Sequence, residues 1–353
     1  MGTDIALLKS PDYASFARSN AGALPYGIQG LTESGFRIRF SDARYKWPWR
    51  AQKMASLLSK IGPFGTPVVE TTAQWRAILR SPVTIAMFES QGHFLALLRS
   101  FSPLRQKRRL VIIACWLADI APGLSSQKRR IYRRMYSVVD LVIVFSLNQR
   151  DILARELGIP IERMRVVPFG IDTREFEAVP VVESGIVLAV GRDNGRDWKS
   201  LLKAVSGTGW TVKVACRPSS LVGLTIPPEV EVLGYVDRSM YRTLLASANV
   251  VVIATENRAY PTGQSVMLEA MALGKACVVT WTDAMDDYVV DEVNCLTVAP
   301  HDVGGLRSSI ERVLQDESLR RRLGSGGSDA VAETFNSVQM WRTIGGFITG
   351  LLS

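Results

Sequence analysis

Short runs of β-branched and apolar residues alternate with stretches of helical periodicity along the whole 353-residue chain. This alternation is typical of parallel α/β folds, in which a helix follows each strand and returns the chain to the same edge of the sheet. We predict first-half strands at 4–8, 36–40, 67–70, 83–88, 110–115, 141–145 and 165–167. We predict second-half strands at 186–190, 212–215, 230–233, 250–254, 276–280 and 295–298. The pattern therefore predicts two stacked parallel α/β units, not a sandwich or a bundle.

The boundaries of these units follow from the same pattern. Residues 1–172 form the first Rossmann-like domain, residues 173–184, with Pro180, form a polar linker, and residues 185–336 form the second domain. Residues 337–353 carry an apolar helical stripe that predicts a helix docked on a neighbouring surface. A chain of this length that is 47% hydrophobic can bury two cores, at roughly 150 residues per domain.

Composition narrows the class of protein further. No apolar run approaches the ~18–20 residues of a membrane-spanning helix, and the N-terminus lacks the layout of a signal peptide. The four cysteines are scattered without the paired spacing of a zinc site or a disulfide framework. We therefore expect a cytoplasmic protein with no metal site.

The net charge of +9 is concentrated in the first half. Residues 1–180 carry 26 Lys and Arg against 14 Asp and Glu, whereas the remaining residues carry 16 against 19. The densest clusters, at 105–109 and 128–134, are suited to anionic lipid headgroups or a phosphorylated acceptor, and a solvated helix face is the alternative. Nucleic acid is not expected, because basic and aromatic residues are not interleaved.

Two turns of the second half carry groups suited to a ligand, since parallel sheets bind ligands beyond the carboxyl ends of their strands. After strand 186–190, Gly191 permits a tight turn, and Arg192 and Lys199 are cations that can clamp a diphosphate. A capped loop facing solvent is the alternative interpretation.

The second turn follows strand 250–254. There Thr262 can cap a helix, Gly263 allows close approach of the backbone, and the helix from Ser265 ends at Gly274. The start of this helix is suited to bind an anion, because its backbone N–H groups are unpaired and the helix dipole is positive there. Glu269 lies one turn after Ser265, where its carboxylate can accept hydrogen bonds from vicinal ribose hydroxyls. A helix glutamate facing solvent is the alternative.

The order of these motifs resembles that of the GT-B glycosyltransferases, specifically the family 4-like, group 1 enzymes. Segment 165–172 with Phe176 resembles their interdomain segment, and 190–192 with Lys199 resembles their phosphate clamp. Segment 232–235 resembles their base-contacting loop, and segment 268–279 is the closest match. The resemblance covers about residues 140–335 well and the first ~130 residues only in outline.

This resemblance implies two Rossmann-like domains facing each other across a cleft, with the acceptor on the first, the donor nucleotide on the second and the C-terminal helix crossing back to the first domain. It implies donor-binding roles for a set of residues in the second domain. These are Arg192, Lys199, Gly234, Tyr235, Thr262, Gly263, Gln264, Ser265 and Glu269. Arg192 and Lys199 would neutralise the leaving diphosphate, and Glu269 would hold the ribose.

The implied reaction is transfer of a sugar from a nucleotide sugar to an acceptor hydroxyl with retention, releasing a nucleotide diphosphate without a metal or other cofactor. The implied acceptor is a glycan or a lipid-linked sugar, in envelope glycan, polysaccharide or glycolipid biosynthesis. The basic first domain adds the expectation of peripheral contact with anionic lipids on the inner face of the membrane.

The chain departs from the family's pattern at two places. Pro261 stands where relatives carry a first glutamate that contacts the donor sugar, so a different sugar or different sugar contacts are expected, and Glu256 is a candidate for compensation. The usual first-domain histidine is also missing after strand 110–115.

The first domain offers three candidates for accepting the proton of the acceptor hydroxyl: His93, Asp119 and Glu89. A structural, hydrogen-bonded role is the alternative for His93, and we expect His301 on the surface. Tyr45, Trp47 and Trp49 are candidates for stacking on sugar rings or for pinning a loop.

Three classes of protein therefore remain open. The first is a glycosyltransferase, the second is another GT-B enzyme such as a sugar-nucleotide epimerase or a phosphorylase, and the third is a catalytically silent nucleotide-sugar binding protein. The chain has only two histidines, which argues against an epimerase because such an enzyme needs acid and base residues at its cleft. We identify no lysine for a cofactor and no second phosphate site, which argues against a phosphorylase. The missing first glutamate favours the silent protein, whereas Arg192, Lys199 and Glu269 oppose it.

Overall fold

The computed structural model describes residues 3–8, 27–39, 75–101, 108–176 and 183–353. Its contacts divide the chain into two compact units, Met1–Pro168 with Val338–Ser353, and Phe169–Ser337. Each unit contains a six-stranded parallel sheet within the described residues. The predicted fold class, with two Rossmann-like α/β units, is confirmed.

The first unit has strands β1 (Thr3–Leu8), β2 (Phe36–Arg39), β3 (Val83–Ala86), β4 (Arg109–Ala114), β5 (Leu141–Val144) and β6 (Met164–Val166), in the order β2-β1-β3-β4-β5-β6. Its helices are α1 (Gln29–Glu33), α2 (Trp75–Arg80), α3 (Glu89–Ser100), α4 (Leu117–Ile120), α5 (Ser126–Tyr136) and α6 (Leu147–Leu157), with 3-10 turns at Ala121–Gly123 and Ile161–Arg163. Six of the seven predicted strands are confirmed, and the seventh, 67–70, lies outside the described residues.

The second unit has strands β7 (Ile186–Gly191), β8 (Thr211–Cys216), β9 (Val230–Val232), β10 (Ala248–Ile253), β11 (Ala276–Thr280) and β12 (Leu296–Val298). Its helices are α7 (Trp198–Val205), α8 (Arg238–Ser247), α9 (Gln264–Ala272), α10 (Val303–Gln315) and α11 (Glu317–Glu333), with 3-10 turns at Thr173–Phe176 and Pro218–Leu221. The strand order β12-β11-β10-β7-β8-β9 is that of dinucleotide-binding folds. All six predicted strands are confirmed.

The second unit's sheet buries both of its faces, because successive side chains of a strand point to opposite sides. In β7, Leu188 packs in one apolar cluster with residues of α8 and α9. Its neighbour Val187 packs in a second cluster with residues of α7 and α10. This double burial explains why the strands appear in the sequence as continuous apolar runs.

The chain enters and leaves the second unit at adjacent positions. The N–H group of Ile171 donates to the Phe335 carbonyl (2.9 Å), and the N–H group of Ser337 donates to the Ile171 carbonyl (2.8 Å). Gly170 is required here, because a Cβ atom would overlap the backbone of Asn336. Thr173–Phe176, the described start of the predicted linker, is a turn whose Phe176 is buried in the core of the second unit.

The last helix, α12 (Ser337–Leu352), packs on the first unit. Its predicted apolar stripe is largely buried, with Trp341 and Ile344 fully inaccessible to solvent. Gly30 of α1 approaches this helix so closely that a Cβ atom would overlap the carbonyl oxygen of Val338, and Arg342 forms an ion pair with Glu33 (2.8 Å). Among the described residues, no helix combines the length and the apolar character that crossing a bilayer demands.

The contact between α1 and α12 gives a stability prediction. Gly30→Ala is expected to lower the free energy of unfolding by about 1–3 kcal/mol, because the new methyl group must push the two helices apart. Gly346→Ala in α12 is the matched control. It meets no atom within 4 Å and is expected to keep or raise stability. Chemical denaturation measures both variants, and equal stability of Gly30→Ala and the wild type would contradict the close approach.

Candidate functional site

A cavity of about 510 Å³ opens in the second unit beyond the carboxyl ends of β7, β8 and β9. Its lining consists of residues 190–193, Arg196, Ala215, residues 234–238, Tyr241, Ser265, Val266 and Glu269. The cavity lies beside the point where the strand order reverses, between β7 and β10, which is where open α/β sheets bind ligands. Its volume is within the range of small-molecule sites.

The start of α9 borders this cavity. Gly263 precedes the helix with a left-handed backbone (φ 84°), and no side chain of the described residues caps the helix. The predicted cap was wrong, because Thr262 is buried and its hydroxyl donates to the Tyr260 carbonyl (3.4 Å). Gln264 begins the helix, and Ser265 lines the cavity. An uncapped helix start offers backbone N–H groups and a positive dipole end to an anion.

Arg196 is a cavity residue that the sequence analysis missed. Its side chain is 4% exposed and runs between two glycines, so that a Cβ atom at Gly191 would overlap it and one at Gly263 would lie 2.6 Å from its Nη1. Nε donates to Asp193 (3.2 Å), whereas Nη1 is buried and has no hydrogen-bond partner among the described residues. A buried cation beside the positive end of a helix calls for a bound anion.

The loop that carries Arg196 is held by the backbone of the segment that follows β10. The N–H group of Asp197 donates to the Ala254 carbonyl (3.0 Å), and the N–H group of Glu256 donates to the Gly195 carbonyl (2.9 Å). Asp197 also caps α7 by accepting from the Ser200 N–H group (2.9 Å). The position of Arg196 therefore depends on the pairing of two loops that lie far apart in the sequence.

Arg192 and Tyr235 also line the cavity and contact each other. The Arg192 guanidinium lies 4.4 Å from the centre of the Tyr235 ring and donates to the Val236 carbonyl (3.2 Å). Tyr235 is 77% exposed and follows Gly234, whose positive φ of 65° turns the chain. The stacked pair presents flat surfaces of the kind on which a nucleotide base can stack.

Glu269 lines the cavity from the second turn of α9. Its carboxylate accepts from the hydroxyl of Tyr241 and from the guanidinium of Arg238 (3.3 Å). Burial raises the pKa of Glu269, and the charge of Arg238 and the Tyr241 hydrogen bond oppose that rise. Burial also raises the pKa of Tyr241, so its hydroxyl keeps its proton and acts as the donor.

The structure does not bring Lys199 into the cavity. Lys199 is exposed on α7, next to the buried Trp198 and Ser200, and it is outside the residues that line the site. Thr262, Gly263 and Gln264 also lie outside the lining, although Gly263 contributes indirectly by leaving room for Arg196. Arg196 thus stands in the cavity where the sequence analysis placed Lys199.

Two of the three first-domain candidates are built into the interior. Glu89, at the start of α3, accepts from the N–H groups of Cys115 (2.9 Å) and Trp116 (2.6 Å) and so ties α3 to the end of β4. Burial raises the pKa of this carboxyl. His93 is buried, with Nε2 3.2 Å from the Tyr136 hydroxyl and its ring edge-on to that of Tyr132. Burial lowers the pKa of His93 to about 3.

These surroundings are those of structural residues, which was the alternative left open for His93. Asp119 is half-buried on α4, directly after β4, and remains a candidate for contact with an acceptor. The aromatic residues Tyr45, Trp47 and Trp49 lie outside the described residues.

His301 is exposed, as expected, and its ring also contacts two carboxylates. One ring nitrogen lies 2.9 Å from Asp197 and the other lies 3.5 Å from Glu256, so the imidazole bridges two loops next to the cavity. One ring nitrogen and one oxygen from each of the two carboxylates lie within 4.8 Å of one another, which is close enough for shared ligation of a metal ion. Glu256 contacts His301 and is outside the residues that line the cavity.

Comparisons with known proteins agree with this fold. Residues 189–316, from β7 to α10, match the family model described as glycosyl transferases group 1. An uncharacterized glycosyltransferase of Methanocaldococcus jannaschii is 30% identical over 113 residues, which cover 32% of this chain and 28% of that relative's length.

Solved structures match the whole chain at low identity. Sucrose-phosphate synthase from Thermosynechococcus elongatus superposes with a TM-score of 0.73 at 18% identity, over 99% of each chain. The Anabaena protein HepE, solved in complex with UDP, superposes with a TM-score of 0.69 at 14% identity, over 99% of this chain and 100% of HepE. HepE has also been solved with UDP-glucose.

The fold and the cavity define the class: an α/β protein of the GT-B fold, with two Rossmann-like units in one chain. Residues 189–316 of the second unit are similar to the group 1 glycosyl transferase family. The resemblance noted from the sequence motifs is thereby confirmed.

The burial of His93 gives a pH prediction that separates a structural histidine from a catalytic one. Its pKa is about 3 in the folded chain and about 6.5 in an unfolded one, so the unfolded state takes up a proton first as the pH falls. This residue's contribution to stability is complete above about pH 6.5 and declines by about 1.4 kcal/mol per pH unit between there and its folded pKa.

Replacement with a residue that does not titrate, His93→Gln, is expected to remove that part of the slope. Urea denaturation of the wild type and the variant between neutral pH and pH 4 measures the difference. Parallel pH profiles for the two proteins would show that His93 is accessible to protons and would count against a structural role.

Proposed function

We propose that this protein is a glycosyltransferase that moves a sugar from a nucleotide sugar to an acceptor hydroxyl and releases a nucleotide diphosphate. The observation that carries the proposal is the cavity, where Glu269, Arg192, Arg196 and the start of α9 converge at the reversal of the strand order. A carboxylate suits ribose hydroxyls, and cations beside a helix start suit phosphates.

Stabilisation of the departing diphosphate is the main chemical task in this reaction. Arg196 offers a buried Nη1 that has no hydrogen-bond partner within the described part of the chain, and the start of α9 adds backbone donors beside it. Fixed cations and dipoles aimed at a developing charge lower the barrier to its formation. We propose that these groups take the place of a metal ion, so that activity persists in a chelator.

The stereochemical outcome and the biological setting rest on the resemblance to family 4-like enzymes. We propose transfer with retention, in the synthesis of an envelope glycan, polysaccharide or glycolipid. Because HepE has been solved with UDP and UDP-glucose, uridine donors are the first to test. Because Pro261 stands where relatives carry a glutamate that contacts the donor sugar, the sugar is left open. Several donor sugars must therefore be tested.

Asp119 is our candidate for contact with the acceptor. It follows β4 on the short helix α4 and is half-buried, whereas Glu89 and His93 are enclosed by the first unit. A carboxylate at the end of a strand can accept the proton of a hydroxyl.

A thermal-shift panel of nucleotide diphosphates and sugar nucleotides tests the binding step, because a ligand of the native state raises the melting temperature. Stabilisation by a nucleotide diphosphate is expected. No shift with any member of the panel contradicts the proposal, and binding without transfer to any acceptor would favour a silent binding protein.

The assignment of phosphate binding to Arg196 gives a prediction with an internal control. Arg196→Ala is expected to weaken UDP binding by roughly 10- to 100-fold, about 1.5–3 kcal/mol, because a buried cation is lost from the phosphate subsite. Lys199→Ala removes an exposed cation from the next helix and is expected to change the affinity by less than about threefold.

Isothermal titration calorimetry with UDP measures both variants, and circular dichroism checks that each is folded. If Lys199→Ala loses more affinity for UDP than Arg196→Ala does, phosphate binding must be assigned to Lys199 instead.

We also propose that the first unit contacts anionic lipid through α5. This helix contains no acidic residue, and its exposed side carries Arg130, Arg134 and Ile131. Arg134 lies over the ring of Phe101 (4.5 Å), which is 70% exposed. Basic side chains around exposed apolar groups suit the interface of an anionic bilayer.

Charge reversal tests this contact. Arg130→Glu with Arg134→Glu is expected to reduce binding to mixed phosphatidylcholine and phosphatidylglycerol vesicles by at least about tenfold, since each basic residue near such a surface contributes about 1 kcal/mol. Arg217→Glu, an exposed arginine of the second unit, is the control and should bind like the wild type. Vesicle sedimentation measures the three proteins, and equal binding of all three would exclude α5 as the contact.

A further inference from the structure

We propose that Arg238 is a positioning residue that holds the Glu269 carboxylate for two vicinal hydroxyls and thereby makes the site select ribose over 2′-deoxyribose. The inference rests on the proposed function, because it concerns how the same cavity recognises its nucleotide. It assigns a task to a residue that none of the sequence motifs singled out.

Arg238 connects three elements of the second unit. Its Nη1 and Nη2 both lie 3.3 Å from Oε1 of Glu269, and Nη2 donates to Oε2 of Glu175 (2.6 Å). The guanidinium carbon lies 4.8 Å from the centre of the Phe176 ring and 5.4 Å from that of Tyr241. Two carboxylates and two aromatic faces therefore fix the guanidinium in place.

Local sequence explains why Arg238 reaches the cavity. Asp237 caps α8 by accepting from the Met240 N–H group (2.8 Å), which makes Arg238 the first residue of the helix. Asp237 and Arg238 both line the cavity, so the start of α8 faces the ligand space. Glu175 reaches the same guanidinium from the 3-10 turn Thr173–Phe176.

Among the described residues, each oxygen of the Glu269 carboxylate contacts one side chain. Arg238 directs both of its terminal N–H groups at one side of Oε1, and the Tyr241 hydroxyl donates once to Oε2. Because Glu269 lines the cavity, we propose that each oxygen accepts one further donor from the cavity side. Two adjacent acceptors of this kind match the 2′- and 3′-hydroxyls of a ribose, whereas a 2′-deoxyribose satisfies one of them.

The charge of Arg238 also decides the protonation of Glu269. Burial raises the pKa of this carboxyl, and so does the negative charge of Glu175, whereas Arg238 and Tyr241 lower it. Arg192, Arg196, Asp193 and Asp237 are the other charged groups around the same cavity. Without Arg238, the pKa of Glu269 rises, so a larger fraction of this carboxyl is protonated at a given pH. A protonated carboxyl presents a hydroxyl donor in place of one acceptor.

The test compares ribo- and 2′-deoxyribonucleoside diphosphates of adenine, guanine and uracil by titration calorimetry. The wild type is expected to prefer the ribonucleotide of its cognate base by about tenfold or more, which is the value of a lost hydrogen bond to a charged group. Arg238→Met keeps the length of the side chain and removes its charge, and its preference is expected to fall to about one.

Arg242→Met is the matched control on the same helix, because Arg242 does not line the cavity and should keep the preference of the wild type. Tyr241→Phe frees the other oxygen and is expected to reduce the preference in part, so it also tests the idea if Arg238→Met does not fold. The preference of the wild type should itself decline towards one as the pH falls, because protonation of Glu269 removes a hydrogen-bond acceptor.

The outcomes separate the competing roles of Arg238. A residue that only binds phosphate would weaken both nucleotides equally and leave their ratio unchanged, and a residue that only stabilises the fold would lower the melting temperature with the ratio unchanged. Either result overturns the inference while the proposed function stands. Absence of nucleotide binding by the wild-type protein overturns both.

Discussion

The carboxyl ends of β7 and β10 lie side by side while the chain leaves these strands toward different faces of the sheet. This geometry follows from the strand order of the second unit, and it opens the crevice in which the cavity lies. Leu188 and Val251 pack on one face, and Val187 and Val250 pack on the other, so the register of the strands cannot slip without exposing a core. Every functional proposal made for the second unit depends on this fixed edge.

Three arginines and three carboxylates line the cavity at that edge, and their pairing divides it into two regions. Arg196 has Asp193 as its carboxylate partner, and the start of α9 adds to the positive potential there. By contrast, Glu269 is surrounded by Arg238 and Tyr241. The region around Arg196 and the start of α9 therefore suits an anion. The region around Glu269 contains its own counter-charge and can still accept hydrogen bonds. These two regions match the phosphate and sugar ends of a nucleotide.

The strands and much of the cavity could be predicted from the sequence, because they depend on local patterns. Apolar runs mark the strands, and glycines at the turns and the spacing from Ser265 to Glu269 mark the start and face of a helix. Arg196 was missed because the choice between it and Lys199 depends on how the loop pairs with Ala254 and Glu256, and a linear pattern does not contain that pairing. The burial of Glu89 and His93 likewise depends on contacts with β4 and α5.

The adjacent entry and exit points of the second unit have a consequence for biosynthesis of the chain. Residues 169–337 are contiguous, so the second unit can fold as soon as it has left the ribosome. The first unit contains α12, which is synthesised after the whole second unit, and Gly30 meets its partner Val338 only then. The first unit, most of which is synthesised before the second, is therefore the last to finish folding. Until α12 has docked, the first unit exposes the apolar surface that Trp341 later covers.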